Sequence, residues 1–177
     1  MTILKQLWSL SIISFIWSPI ACGQNPTEYK VKNPEFEKKL STILDYNVPL
    51  ISVDELEQNQ GEYILLDTRE REEFEVSHIQ NAIFVGFNRP DYSMLKDIDK
   101  DHPVVTYCSV GYRSEKIGND LKAMGFTNVF NLYGSIFEWV NNGYPVVGLS
   151  GQETDTVHTF NKRWSKWLTN SNYTKHW

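Results

Sequence analysis

The residues best suited to chemistry in this sequence are a cysteine and an arginine that flank a short, glycine-containing loop. Cys108 ends the apolar run VVTYC, and the residues SVGYR lead directly into a stretch with helical spacing. A thiol at the carboxyl end of a strand and the start of a helix faces unpaired backbone N–H groups and the positive end of the helix dipole. Both lower a thiol pKa and favour the nucleophilic thiolate. Gly111 lets the backbone curl around the sulfur, and Arg113 and Lys116 add positive charge nearby.

Composition excludes several other classes of protein. The chain has 177 residues and a net charge of −5, from 17 basic and 22 acidic side chains. That charge argues against nucleic-acid binding, which requires a basic surface to neutralise phosphates. Two cysteines cannot form a disulfide-rich scaffold or a four-cysteine metal site. No metal or cofactor is expected either, because metal-ligand spacing is lacking among the four histidines, His78, His102, His158 and His176.

The elements that must position the cysteine alternate between strands and helices. Four short apolar runs are predicted strands: Tyr63 to Asp67, Ile83 to Val85, Val104 to Cys108, and Val129 to Leu132. Helices are predicted between them: Glu70 to Val76, Tyr92 to Ile98, and Ser114 to Met124. Continuous apolar strands alternating with helices indicate an α/β fold, a mostly parallel sheet with helices on both faces. Ligands of such folds bind at the carboxyl ends of the strands.

An extra helix is predicted at each end of the domain, which is placed at residues 50–148. Residues 23–49 are interpreted as a polar tether followed by a helix that starts at Asn33 and Pro34. Residues 149–177 are interpreted as a helical extension, with a helix from Thr154 to Leu168. Its apolar face is predicted to pack on the domain, or to contact a partner or a membrane surface, through Val157, Phe160, Trp164, Trp167 and Leu168.

Residues 1–22 are predicted to be a signal peptide. The apolar run from Leu7 to Ala21 is too short to span a membrane well, and it follows Lys5. The sequence Ala21-Cys22-Gly23 resembles the lipobox of bacterial lipoproteins, which implies lipidation of Cys22 and a periplasmic or membrane-anchored protein. Cleavage after Gly23 is the alternative and implies a simply secreted protein. Either way, Cys108 is the only free thiol expected in the mature chain.

Three segments together resemble the single-domain rhodanese (thiosulfate sulfurtransferase) family. They are LLDTREREEFEVSHIQNAI, PVVTYCSVGYRS and LKAMGFTNVFNLYGSIFEWVNNGYPVV. The resemblance covers roughly Ile51 to Val147. The chain departs from the family pattern at three places: Ser77 to Ala82, Ile117-Gly118, and Gly134-Ser135, where the family has two glycines.

The resemblance implies that Cys108 takes the outer sulfur of thiosulfate or a related donor and passes it to a thiol or to cyanide. The persulfide formed on Cys108 would be held by the loop residues Ser109, Val110, Gly111, Tyr112 and Arg113. Asp67 and Arg69 end a neighbouring strand, where they would orient the loop, meet an anionic donor, or form a purely structural ion pair. The implied partners are a small sulfur donor, a thiol acceptor and a protein that exchanges persulfide sulfur. Contact with a membrane would come through the lipid anchor alone.

Four alternatives to this interpretation stay open. Cysteine phosphatases and arsenate reductases have one residue more between cysteine and arginine than the four that separate Cys108 from Arg113. The shorter loop suits one sulfur atom better than a tetrahedral oxyanion. A non-catalytic binding module of the same fold would usually lack the cysteine, whereas a persulfide carrier for a protein partner would keep it. Cys108 would also be kept as a buried structural cysteine.

The predicted lipid anchor gives the first test. We expect the full chain to partition with membranes after cell fractionation and the Cys22→Ser chain to appear in the aqueous fraction, because the substitution removes the only thiol at the lipobox. Cys108→Ser is the matched control and should stay with the membranes. A Cys22→Ser protein that remains membrane-bound would refute lipidation.

Overall fold

A computed structural model describes residues 28–177. The predicted signal peptide, and Cys22 with it, lie outside the described residues. The α-helices are α1 (Pro34–Leu40), α2 (Val53–Gln58), α3 (Arg71–Val76), α4 (Tyr112–Ala123) and α5 (Ser135–Asn141). The strands are β1 (Leu50–Ile51), β2 (Ile64–Asp67), β3 (Ile83–Phe84), β4 (Val104–Tyr107), β5 (Val129–Leu132), β6 (Val146–Val147), β7 (Glu153–Thr154), β8 (Thr156–His158) and β9 (Thr174–His176). Between residues 28 and 177, no helix combines the length and the hydropathy needed to cross a membrane.

The core of the fold is a five-stranded parallel sheet in the order β1–β5–β4–β2–β3. All four residues of the central strand β4 are buried, as expected for a strand covered on both faces. Val105 packs with residues of α1, α2 and α5, whereas Val104 packs with residues of α4, so the helices divide between the two faces. The predicted parallel α/β sheet is therefore confirmed, and Cys108 follows its central strand.

The predicted N-terminal helix is present as α1. The side chain of Asn33 accepts hydrogen bonds from the backbone N–H groups of Glu35 and Phe36, and Pro34 occupies the first helical position. Phe36 and Leu40 are fully buried against the sheet. The last residues of the predicted tether also pack on the domain: the Lys32 N–H donates to Glu138 Oε1 at 2.8 Å.

The predicted C-terminal helix from Thr154 to Leu168 is wrong. This segment forms β7, β8 and a 3₁₀-helix at Ser165–Trp167, and β8 pairs in parallel with β9. Its first residues include the β-branched Thr154, Thr156 and Val157, and such side chains favour strands. The Asn161 side chain then accepts from the N–H groups of Arg163 and Trp164 and starts a new turn there.

The helix predicted from Tyr92 to Ile98 is also shorter than expected, because only a 3₁₀-turn forms at Ser93–Leu95.

Gly134, which precedes α5, is the tightest glycine position in the fold. Its φ is +73°, and an added Cβ would lie 2.6 Å from Glu138 Cβ and 2.8 Å from Val31 Cγ1. We expect Gly134→Ala to lower the free energy of unfolding by about 2 to 4 kcal/mol, from left-handed backbone strain and overpacking together. Urea unfolding would measure the loss.

The matched control is Gly143→Ala, where φ is +88° but nothing lies within 4 Å of the added Cβ. This substitution carries the backbone strain alone, which is about 1 to 2 kcal/mol. Equal losses at both positions would contradict the predicted clash beneath α5.

Candidate active site

The thiol of Cys108 lies at the junction between β4 and α4. Cys108 directly follows β4, and its side chain is 1% exposed. The backbone then turns at Gly111, whose φ of +111° favours glycine, and its N–H donates to Cys108 Sγ at 3.1 Å. Tyr112 and Arg113 begin α4, so the sulfur lies against the N-terminus of a twelve-residue helix. This is the position that the sequence predicts for the sulfur.

The carbonyl groups of the cysteine loop are held by donors outside the loop. The N–H of Ile136 donates to Cys108 O at 3.2 Å, and the N–H of Phe137 donates to Ser109 O at 3.3 Å. The Asn131 side chain donates to Gly111 O at 3.0 Å. With its carbonyl groups engaged on the outside, the loop can direct N–H groups towards the sulfur. The hydrogen bonds from the first turn of α5 therefore orient the backbone of the cysteine loop.

Ser135 takes part in this arrangement although the sequence analysis assigned it no role. It stands at the second glycine of the family's closing pair and keeps a positive φ of 53°. Its Oγ accepts from the Cys108 N–H at 3.1 Å and donates to Leu132 O at 3.3 Å. Because glycine offers no hydroxyl, this departure from the family pattern adds a hydrogen bond at the cysteine itself.

Arg113 reaches back across the loop to a carboxylate on α3. Its Nη1 lies 2.5 Å from Glu73 Oε2, and its Nη2 lies 2.8 Å from Glu73 Oε1. Nη2 also donates to Ser109 Oγ at 3.0 Å, and this hydroxyl donates to Glu73 Oε1 at 3.1 Å. The bidentate pair joins α3 to α4 and braces the loop between them. The sequence offered only a glutamate-rich helix start as a signal for Glu73, and the three glutamates at 70, 72 and 73 gave no means of choosing among them.

The surroundings of Cys108 favour its thiolate. Burial alone would raise the pKa of the thiol, but the charge of Arg113 and the backbone N–H groups of Ser114, Val110 and Gly111 outweigh it. The pKa of Cys108 consequently lies below its ordinary value. Lys116 is engaged elsewhere, because its Nζ lies 2.5 Å from Asp45 Oδ2 on the surface.

Asp67 and Arg69 lie under the site and form a buried ion pair. Arg69 Nη2 lies 2.6 Å from Asp67 Oδ2 and 2.6 Å from the carbonyl oxygen of Ser77. Both side chains are 0% exposed, so neither meets a donor in the pocket. Of the three roles the sequence left open, the geometry matches the structural ion pair, which ties β2 to the segment after α3.

A pocket of about 620 Å³ opens in front of the cysteine loop. Tyr112 lies at its rim and is 45% exposed. Phe160, which is 49% exposed, has its ring centroid 5.2 Å from the Arg113 guanidinium, and Trp164 lines the same wall. The sequence analysis missed Phe160 and Trp164 as site residues because it placed both on one packed helix face.

The rings of His78 and His158 have structural partners. The His78 ring stacks on Phe74 with 3.9 Å between centroids, and His158 Nδ1 accepts from the Phe160 N–H at 3.1 Å. Within residues 28–177 no three histidine, cysteine or acidic side chains are grouped as a metal site requires.

The lowered pKa of Cys108 gives a test of the site's electrostatics. In a chain carrying Cys22→Ser, the rate of alkylation by iodoacetamide should rise with pH through a midpoint below that of an ordinary cysteine. Arg113→Met should move this midpoint to higher pH, because it removes the positive charge that stabilises the thiolate. The midpoint is read from rates measured across the pH range.

Lys116→Met is the matched control for charge on the same helix, and it should leave the midpoint in place because Lys116 pairs with Asp45. If both substitutions shifted the midpoint equally, the specific contribution of Arg113 would be wrong.

Comparisons with known proteins point to one family. The family model "Rhodanese-like domain" matches residues 52–142. Among curated proteins, the chain is 31% identical over 77 residues to thiosulfate sulfurtransferase GlpE of Coxiella burnetii, covering 43% of this chain and 70% of that one. It is 26% identical over 110 residues to an adenylyltransferase and sulfurtransferase of Ogataea parapolymorpha. That match covers 58% of this chain but only 28% of the much longer relative.

A solved structure shares the fold. The rhodanese-like domain of an Anabaena protein superposes with a TM-score of 0.53 at 22% identity, covering 60% of this chain and 83% of that one. Residues 52–142, which the family model matches, contain β2 to β5, α2 to α5 and the Cys108 loop. The chain belongs to the rhodanese-like domain family.

Proposed function

We propose that the protein is a sulfurtransferase that carries sulfane sulfur as a persulfide on Cys108. The donor is thiosulfate or a related compound, and the acceptor is a thiol or cyanide. One observation carries the proposal: the Cys108 thiol, with a lowered pKa, faces the N–H groups of a short loop closed by Arg113. The similarity to a thiosulfate sulfurtransferase supports the same chemistry.

The proposed reaction has two displacement steps. The Cys108 thiolate attacks the outer sulfur of the donor, and the donor's S–S bond breaks with its electron pair leaving on sulfite or on the donor's own sulfur. In the second step an acceptor thiolate or cyanide attacks the terminal persulfide sulfur. The new bond forms on that sulfur, and the Cys108 thiolate is released unchanged. Charge balances in each step, and no redox cofactor is needed.

The loop can stabilise negative charge throughout this cycle. A persulfide anion adds one sulfur to Cys108, and its charge replaces that of the thiolate at the helix N-terminus. The loop has four residues between Cys108 and Arg113, and both Arg113 Nη atoms are engaged by Glu73. A cysteine phosphatase would need the arginine free to bind phosphate oxygens. The geometry therefore favours sulfur transfer over phosphate hydrolysis.

Intact mass of the full chain carrying Cys22→Ser tests the proposal, because Cys108 is then the only thiol. Incubation with excess donor should add one sulfur atom, and cyanide should remove it with release of stoichiometric thiocyanate. Adding Cys108→Ser should abolish both events, because the hydroxyl is a far weaker nucleophile, while the unfolding midpoint stays close to that of the parent.

Turnover separates an enzyme from its alternatives. Repeated thiocyanate production with thiosulfate or an organic donor supports a sulfurtransferase. A single loading that discharges only to a protein thiol would instead indicate a persulfide carrier. Absence of any sulfur on Cys108 with every donor would leave a non-catalytic binding module.

A further inference from the structure

We propose that the pocket in front of Cys108 selects a sulfur donor with an apolar organic body, such as an aryl or branched-alkyl persulfide or thiosulfonate, over the inorganic dianion thiosulfate. The inference rests on the proposed function and specifies its substrate class. Phe160, supplied by the segment after the sheet, is the residue assigned to this selection.

The pocket wall is largely apolar and aromatic. It is lined by Ile43, Phe87, Val110, Tyr112, Phe160 and Trp164. Two polar side chains of the lining already have partners: Asn88 Nδ2 donates to Glu70 Oε1 at 2.7 Å, and Thr42 Oγ1 donates to Lys39 O at 2.7 Å. A volume of about 620 Å³ far exceeds that of a thiosulfate ion and lies in the range of organic ligand sites. An apolar body would gain free energy by burying its surface there.

The charges at the pocket disfavour a dianion. Arg113 is the one cationic side chain among the lining residues, and its two Nη atoms are bound by the two carboxylate oxygens of Glu73. Glu70 adds a carboxylate to the pocket lining. Among the lining residues, therefore, no unpaired cation is present to receive the two negative charges of thiosulfate. A thiosulfonate or a persulfide carries one negative charge or none, and this can rest on the N–H groups at the sulfur.

Phe160 is held at the pocket by a strained and anchored backbone. Its φ is +63°, which is rare for an aromatic residue and costs free energy. The neighbouring strands enforce it: the Phe160 N–H donates to His158 Nδ1, and the Thr159 N–H donates to His176 O at 2.7 Å. The strained turn leaves the Phe160 ring half-exposed beside Arg113 instead of burying it in the core. Strain that the surroundings enforce at a site indicates a role for the side chain it presents.

The donor step is balanced for a thiosulfonate, R–SO₂–S⁻. The Cys108 thiolate attacks the terminal sulfur, forming a new S–S bond, and the S–S bond of the donor breaks. The electron pair leaves with the sulfinate R–SO₂⁻, and Cys108 keeps the persulfide anion. Two negative charges enter and two leave, and no further reactant is required.

The test compares three donors on the full chain carrying Cys22→Ser: benzenethiosulfonate, methanethiosulfonate and thiosulfate. Each second-order rate of persulfide formation on Cys108 is measured by intact mass and divided by the rate of the same donor with free cysteine. We expect benzenethiosulfonate to exceed methanethiosulfonate at least tenfold in this normalised rate, with thiosulfate slowest.

Phe160→Asn should reduce the ratio of the benzenethiosulfonate rate to the methanethiosulfonate rate at least fivefold. Asparagine accepts a positive φ, so the turn is expected to survive loss of the ring. Phe160→Ala provides a second variant, and both are checked by their unfolding midpoints. The matched control is Trp177→Ala, which removes a 56% exposed aromatic away from the pocket lining and should leave the ratio unchanged.

The outcomes separate the two proposals. Sulfur loading of Cys108 with no preference for the phenyl donor, or with thiosulfate fastest, overturns this inference and leaves the sulfurtransferase proposal in place. A preference that persists in both Phe160 variants also overturns it, because the selecting wall would lie elsewhere. If no donor adds sulfur to Cys108, the proposed function itself fails.

Discussion

The site depends on one constraint, the outward orientation of the carbonyl groups in the Cys108 loop. The first-turn N–H groups of a helix have no partner within the helix, and those of Ile136 and Phe137 in α5 find theirs on Cys108 and Ser109. One set of hydrogen bonds thus satisfies α5 and fixes the loop. Without it, the carbonyl dipoles of the loop could turn towards the sulfur and disfavour the thiolate. The positions of the Cys108 sulfur, of Arg113 and of the loop residues that line the pocket all follow from this arrangement.

The ion pair with Glu73 changes how Arg113 can act on an anion in the pocket. A free guanidinium beside a thiolate would bind anions strongly, since it offers a planar fork of donors. Here the fork is occupied by a buried carboxylate, and the cation acts on Cys108 through its charge rather than through a direct bond. The loop gains a brace between α3 and α4, and the pocket loses an anion-binding group. Arg113 therefore stabilises the Cys108 thiolate by its charge while its donors stay bound to Glu73.

The sequence predicted those parts of the site whose residues lie close together in the chain. Cys108, Gly111 and Arg113 lie within six residues, and a strand, a glycine turn and a helix start place such neighbours reliably. Four of the five strands of the sheet followed in the same way from apolar runs alternating with helical spacing, whereas the two-residue strand β1 was not predicted. The partners of the loop were not predictable, because Glu73 and Ser135 come from distant elements that only tertiary packing brings to the cysteine.

The C-terminal segment shows a different limit of prediction from the sequence. Phe160, Trp164, Trp167 and Leu168 recur at helical spacing, but they do not share one buried face. Phe160 is half-exposed at the pocket, whereas Trp167 stacks on Phe36 and Leu168 lies in the core. Apolar residues at helical spacing indicate a helix only when they share a single buried face. Here β-branched residues before Phe160 and the Asn161 turn break the segment into pieces, and the same spacing arises without a helix.

Helix α5 joins the Cys108 loop to the part of the C-terminal segment that follows Phe160 and Trp164. Its first turn holds the cysteine loop, and Asn141 at its last turn receives the N–H groups of Thr169 and Asn170 and donates to Trp167 O. The cysteine loop and residues 167–170 are thus fastened to opposite ends of one helix of seven residues, about 10 Å long. A shift of α5 along its axis would therefore move the Cys108 loop and residues 167–170 together.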